Sequence, residues 1–335
     1  MGSGRIQMLD GLRDSNVQRS HAAVPRAGRQ SAEHPSQRTL KTSINCNGVG
    51  LHSGEVISLS LHPAPTDTGI VFRRNGVTRS GASVAARFDN VVDTRMCTRI
   101  ENEQGVSIGT IEHLMAALHG CAVDNAVIEV SGPEVPIMDG SSEPFVFLIE
   151  CAGIVDQDAP RRMVRVTRRV EVRNNDRVAV LDPADRFSAF VGIDFASTAI
   201  GCQEISLDLT PSRFKTEIAR ARTFGFLDEV ETLRSMGLAR GGSLENAVVV
   251  DGDTIVNEEG LRYRDEFVRH KLLDCLGDLY LAGHPIIGHF HSIRAGHCIN
   301  NELLRAVFFD PANWELVGVE EESQKAEDLA VAASA

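Results

Sequence analysis

The sequence predicts an α+β fold in two domains of similar topology, each a β-sheet layered against two helices. Three observations carry this. At 335 residues the chain exceeds the usual size of one domain. Each half reads as runs of strands with two helices apiece, which suits segregated layers better than a doubly wound sheet. Between the halves lies a polar, proline-containing stretch, Gln157–Arg162, where the domain boundary is expected.

The first domain, over 38–160, begins with β-type runs at Glu55–His62, Gly69–Arg74 and Ser83–Phe88. A helix at Ile111–His119 and a strand at Ala126–Val130 follow; Pro133, Pro136 and Gly140 interrupt the pattern before a second helix at Phe145–Cys151. The second domain, over 161–319, opens with strands at Met163–Arg173, Ala179–Leu181 and Ser188–Asp194, then a helix at Phe214–Ala221. The long helical pattern Asp265–Gly283 and a strand at Ile286–Phe290 complete it. The repeated order hints at a structural duplication, although no residue-level repeat is visible. Residues 1–37, rich in Arg, Ser and Gln without periodicity, read as a disordered extension, with an organellar transit peptide as the lesser alternative; 320–335 read as a flexible tail.

Composition narrows the function classes. A net charge of −12 argues against nucleic acid as the main partner. No run approaches the ~18 apolar residues needed to cross a bilayer, and the N-terminus lacks the apolar core of a signal peptide, so a cytoplasmic protein is expected. The seven cysteines are scattered, without a CxxC pair, and their odd number cannot close into a full set of disulfides, which fits reduced thiols.

Chemistry is concentrated in Asp265–Gly283. At about 100° per residue, Lys271, Asp274 and Asp278 share a helix face with His270, while Val268, Leu272, Leu273, Leu276, Leu279 and Tyr280 gather opposite. An imidazole and a carboxylate at i and i+4 can reach one divalent cation, and three protein ligands with an open fourth position is the arrangement of a catalytic zinc. A metal-dependent enzyme is therefore expected. Taken alone, His-x3-Asp is a weak signal, and neither HExxH nor a cysteine-rich zinc pattern is present.

A second imidazole is expected from Thr110–His119. There Ile111, Leu114, Met115 and Leu118 form the packing stripe, and His113 points away from it. Thr110 is placed as N-cap, with Glu112 and His113 in the first turn, where the helix dipole disfavours a protonated imidazole. Glu112 reads equally as a general base beside a metal or as an acidic group favoured by that dipole. A third histidine, His297, follows a glycine in an expected tight loop and suits a proton donor held by Asp278. His284, His289 and His291 could replace it as far as periodicity decides.

The tracts GVGLHSG (48–54), TIEHLMAAL (110–118), PIMDGSSEPF (136–145), ARTFGF (221–226), GGSLEN (241–246), FVRHKLLDCLGDL (267–279) and GHCINN (296–301) resemble, in order, those of the UDP-3-O-acyl-N-acetylglucosamine deacetylases of lipid A biosynthesis. The resemblance runs from about Arg38 to Gly318. It implies an active site between the two domains, with one zinc ion held by His113, His270 and Asp274 and with Glu112 as general base. It further implies His297 as acid or charge stabiliser oriented by Asp278, Thr223 as oxyanion donor and Lys271 as a substrate contact. Cys97 aligns with a cysteine near the zinc in some members and is not taken as a ligand.

The same resemblance implies a small insert near 194–206 that shapes a passage for the acyl chain. Phe224 is the candidate acyl contact, with core packing as its plain alternative. The implied substrate is a UDP-linked acylated amino sugar, with Arg162 and Arg269 as further candidates for its anionic parts. A monomer with at most transient contact with a membrane surface is expected. The other readings are a metal-dependent hydrolase of a different amide or ester, and a non-catalytic, metal-stabilised nucleotide-sugar-binding protein.

Overall fold

The computed structural model describes residues 35–77 and 81–318. The expected N-terminal extension, apart from residues 35–37, and the expected tail from 320 lie outside them. Two five-stranded sheets form the outer layers. The first contains β1 (Ile44–Val49), β2 (Val56–Pro63), β3 (Ile70–Arg74), β4 (Ser83–Ala85) and β5 (Ala126–Val130), arranged β1-β2-β5-β3-β4. The second contains β6 (Val170–Asn174), β7 (Arg177–Asp182), β8 (Ser188–Asp194), β9 (Cys202–Asp208) and β10 (His289–Ile293), arranged β6-β7-β10-β8-β9. In both, the third strand of the order pairs antiparallel to one neighbour and parallel to the other, and the edge pairs are antiparallel. The duplication hinted at by element order is thus a repeat of strand order and direction.

Strand patterning follows burial on one face. In β2, Ile57, Leu59 and Leu61 point inward while the residues between them are exposed or half-buried. β3 buries Ile70 and Phe72, and β5 buries Ala126, Ile128 and Val130. This period of two is what a sheet with one covered face requires.

Helices cover those inner faces. α1 (Glu112–Gly120) precedes β5 and α2 (Glu143–Ala152) follows it; α3 (Glu266–Leu279) precedes β10 and α4 (His297–Phe309) follows it. Every residue of α1 is buried, including Glu112, His113 and His119, where the helix packs against α3 and α2. The crossing is close. A methyl group at Gly277 of α3 would overlap the carbonyl oxygen of Glu112 and stand 3.2 Å from the amide nitrogen of Ala116. Only a residue without Cβ lets the two backbones meet there.

Several expected elements differ in detail. The run Met163–Arg173 is two strands, Arg162–Val166 and β6, in separate sheets. Thr167 breaks it by donating its amide to the Asn313 carbonyl and its hydroxyl to the Ala312 carbonyl. Gln157–Arg162, expected as a polar break, is ordered: Ile154–Pro160 pairs antiparallel with Ser36–Leu40. The helix expected at Phe214–Ala221 is a short turn at Pro211–Arg213 followed by a π-turn at Phe214–Ile218. His297 opens α4 rather than a loop, and α4 buries Ile299, Leu303, Leu304 and Val307 against the second sheet's side of the layer.

Replacing Gly277 with alanine is predicted to destabilise the protein by about 1–3 kcal/mol through overpacking at the α1–α3 crossing. Denaturant unfolding of Gly277→Ala measures this, and stability equal to the parent protein would contradict the close approach.

Candidate active site

The crossing brings the two halves of the predicted site together. His113 from α1 and His270 and Asp274 from α3 present ligand atoms that all lie within 4.8 Å of one another. His113 Nε2 is 3.5 Å and His270 Nε2 is 3.4 Å from Asp274 Oδ1. Ligand atoms around a tetrahedral zinc at bonds of about 2.0–2.1 Å are separated by roughly 3.3–3.4 Å, so this spacing fits one such ion.

The donors are also prepared chemically. His270 donates Nδ1–H to the carbonyl of Ala221 at 3.0 Å, which leaves Nε2 with its lone pair toward the cluster. Burial pushes the His270 imidazolium down to about 3, so the ring is neutral. Burial works against the Asp274 charge, but the Lys271 ammonium bonded to it holds its carboxyl well below the ordinary value. Lys271 Nζ bonds Asp274 Oδ2 at 3.0 Å, whereas Asp274 Oδ1 is buried without a hydrogen-bond partner. An orphaned buried carboxylate oxygen beside a neutral imidazole suits a cation.

Around the triad stand the proton-transfer candidates. Glu112 is buried, and desolvation raises its pKa against the opposing charge of His297. Its Oε2 accepts the backbone N–H of Thr98 at 3.0 Å. Asp278 accepts three hydrogen bonds: the Thr98 hydroxyl at 2.6 Å on Oδ1, and His297 Nδ1–H at 2.8 Å and Asn300 Nδ2–H at 2.9 Å on Oδ2. Burial pushes the His297 imidazolium down, but the Asp278 carboxylate, supported by Glu112 and Asp274, outweighs it and raises the pKa to about 10. His297 Nε2 faces Glu112 Oε1 at 4.0 Å.

The other candidates fall into place unequally. Thr223 is fixed by its amide donating to the Gly140 carbonyl and by its own carbonyl accepting the Val248 amide, each at 2.8 Å. Immediately before it, Arg222 is buried against Glu266, the first residue of α3, at 2.9 Å. The π-turn upstream ends just ahead of Ala221, whose carbonyl orients His270. Phe224 packs edge-on against Phe267 and His270, and Lys271 Nζ lies 5.4 Å from its ring centre.

Segment 194–206 comprises the connection of the β8–β9 hairpin and the first paired residues of β9, and from the connection Phe195 reaches the Phe224 and Phe226 rings. Beyond Thr223, a strand at Phe224–Phe226, a helix at Leu227–Ser235 and a strand at Val248–Asp251 make a small unit that leaves Leu227, Met236 and Leu244 exposed.

Two expected anion contacts are engaged elsewhere. Arg269 is committed to Asp265 and the Glu217 carbonyl, and Arg162 lines a separate cavity with Asp67 and His284. His289 is bonded to Ser188 and His291 packs on Phe190, so among the four interchangeable histidines only His297 meets Asp278. Burial and the Glu112 charge raise the Cys97 thiol to about 12, which keeps it protonated.

Thr110 is not an N-cap. Ile111 holds that position without a side-chain cap, while Thr110 has a left-handed backbone (φ 54°) and donates its hydroxyl to Glu134 at 3.0 Å. Glu134 also accepts the amides of His52 and Ser53, so one buried carboxylate ties the GVGLHSG loop to the start of α1. A β-branched residue at positive φ costs on the order of 1–3 kcal/mol, and Glu134 is the group that holds it. Sequence reasoning missed Glu134, Thr98 and Asn300. Thr98 is separated from Asp278 by 180 residues, and no spacing rule links them.

A family model described as UDP-3-O-acyl N-acetylglycosamine deacetylase matches residues 37–309. The chain is 52% identical over 283 residues to a UDP-3-O-acyl-N-acetylglucosamine deacetylase of Acidithiobacillus ferrooxidans, covering 84% of this chain and 92% of the relative. It is 48% identical over 292 residues to a protein of the same description from Thioalkalivibrio sulfidiphilus, covering 87% and 95%. A third, from Shewanella loihica, is 48% identical over 301 residues, covering 89% and 98%.

The raised pKa of His297 has a measurable consequence in chelator-treated protein. A histidine raised from 6.5 to about 10 contributes stability fully present below pH 6.5 and lost as pH rises through 10. NMR titration is expected to show His297 still protonated at pH 8, and Asp278→Asn to bring its midpoint below that pH. A parent midpoint near 6.5 would contradict the Asp278 assignment.

Proposed function

The chain belongs to the UDP-3-O-acyl-N-acetylglucosamine deacetylase family, and we propose that it hydrolyses the acetamide of a UDP-linked 3-O-acyl-N-acetylglucosamine to the free amine and acetate. This places it at the committed step of lipid A biosynthesis, on the cytoplasmic side. Among the described residues no helix is long and apolar enough to cross a membrane. The observation that carries the reading is a buried His-His-Asp cluster with a further carboxylate, Glu112, adjacent to it and free of the ligand set.

Two imidazoles and one carboxylate suit zinc, held by His113, His270 and Asp274. When bound, zinc supplies Lewis acidity that acidifies water and polarises the acetamide carbonyl. Glu112, its basicity raised by burial, accepts the proton of the attacking water. The Thr223 hydroxyl donates to the carbonyl oxygen as negative charge develops there, an interaction stronger in the transition state than in the ground state.

Expelling an amine anion is prohibitive, so nitrogen must be protonated as the C–N bond breaks. His297, held as imidazolium by Asp278, is the donor. Lys271 contacts the substrate from the same helix face, with its ammonium kept charged against burial by Asp274. Phe224, with Phe195 and Phe226, offers an apolar wall. We place the acyl passage between the hairpin end near 194–206 and the small unit that begins at Phe224.

Acetate release from the metal-loaded protein tests the proposal. Glu112→Ala is expected to slow turnover about 10²- to 10⁴-fold while retaining zinc. Undiminished turnover in that variant would defeat the assigned base. Equal turnover of substrates with and without the acyl chain would instead point to a different amide or ester as substrate. Chelation is expected to abolish acetate release and added zinc to restore it; activity that survives complete metal removal would refute the metal assignment.

A further inference from the structure

Thr98 is 2% exposed and spends all its polar groups on the site. Its amide donates to Glu112 Oε2 at 3.0 Å, its hydroxyl to Asp278 Oδ1 at 2.6 Å, and its carbonyl accepts the Ile111 amide at 3.5 Å, next to α1. The direction of the hydroxyl bond is fixed, because an ionised carboxylate can only accept, and 2.6 Å is the length of a charge-assisted O–H···O bond. One residue, just ahead of the strand Arg99–Glu101, therefore grips the base on α1 and the carboxylate on α3 that orients His297.

What this accomplishes follows from the charges. The His297 imidazolium and the Glu112 carboxylate face each other at 4.0 Å, close enough to attract strongly in a buried site and too far to share a hydrogen bond. Left free, they would collapse into a direct ion pair that consumes the acid and the base together. Asp278 resists this on the histidine side: Thr98 holds one of its oxygens, and His297 and Asn300 share the other. On the carboxylate side the Thr98 amide restrains Glu112.

We propose that Thr98 is a positioning residue that keeps the general base and the general acid apart, acting through the Glu112 carboxylate and through Asp278. The inference rests on the roles given above to Glu112, Asp278 and His297. Thr98→Val keeps the shape and the backbone amide but removes the hydroxyl. It is expected to lower kcat about 10- to 100-fold, the scale on which orienting partners act, with KM and bound zinc unchanged. Thr98→Ser is expected to restore kcat. The downfield proton signal of His297 Nδ1–H is expected in the parent and Ser proteins and to be broadened or lost in the Val protein.

Because Thr98 acts through Asp278, adding Thr98→Val to Asp278→Asn should cost nothing further. Should the Val protein fail to fold, Thr98→Ala against Thr98→Ser provides the same comparison. Parent-like kcat in Thr98→Val while Glu112→Ala and Asp278→Asn are slow would overturn this inference alone, as would fully additive losses or an unchanged His297 signal. Parent-like turnover in Glu112→Ala would overturn the assigned base and this inference with it.

Discussion

The approach of α1 to α3 at Gly277 is the constraint from which the rest of the site follows. His113 comes from one half of the molecule and His270 and Asp274 from the other, and their ligand atoms meet because the two helix backbones touch with no side chain between them. The glycine thus acts on chemistry from a position that never contacts it.

Burying this many ionisable groups is costly, and the arrangement offsets the cost by alternating sign. Lys271 covers one oxygen of Asp274, His297 covers one of Asp278, and Arg222 is matched to Glu266 at the start of α3. Asp274 Oδ1, by contrast, is a buried acceptor with no hydrogen-bond partner among the described residues. In such a network an added cation completes the pattern, so metal affinity and local stability are two aspects of the same electrostatics.

The two halves share one sheet topology, and they differ in the residues their helices carry. α1 and α3 occupy corresponding positions, yet α1 contributes Glu112 and His113 while α3 contributes His270, Lys271, Asp274 and Asp278. The first turns of α2 and α4 diverge similarly. Ser142, preceding α2, donates its hydroxyl to the His113 carbonyl, whereas α4 begins with His297 and carries Asn300. One half braces His113 at the place where the other delivers His297.

Periodicity was enough to find the core strands and the polar face of α3, because burial on one side imposes a repeat of two or 3.6 on the residues themselves. The ordered tracts identified the family, and with it the expected partners of His270 and Asp274. What periodicity could not carry was anything made by contact between distant segments. Thr98 looks like an ordinary threonine ahead of a short strand, Glu134 like a loop carboxylate, and the histidines at 284, 289, 291 and 297 are equivalent until packing sends only the last to Asp278. The four-residue spacing on α3 is a local property of the chain and belongs to the sequence. Bringing His113 to that face, leaving Asp274 Oδ1 without a protein donor and setting the 4.0 Å gap between Glu112 and His297 depend on how two helices cross, and only the folded molecule decides that.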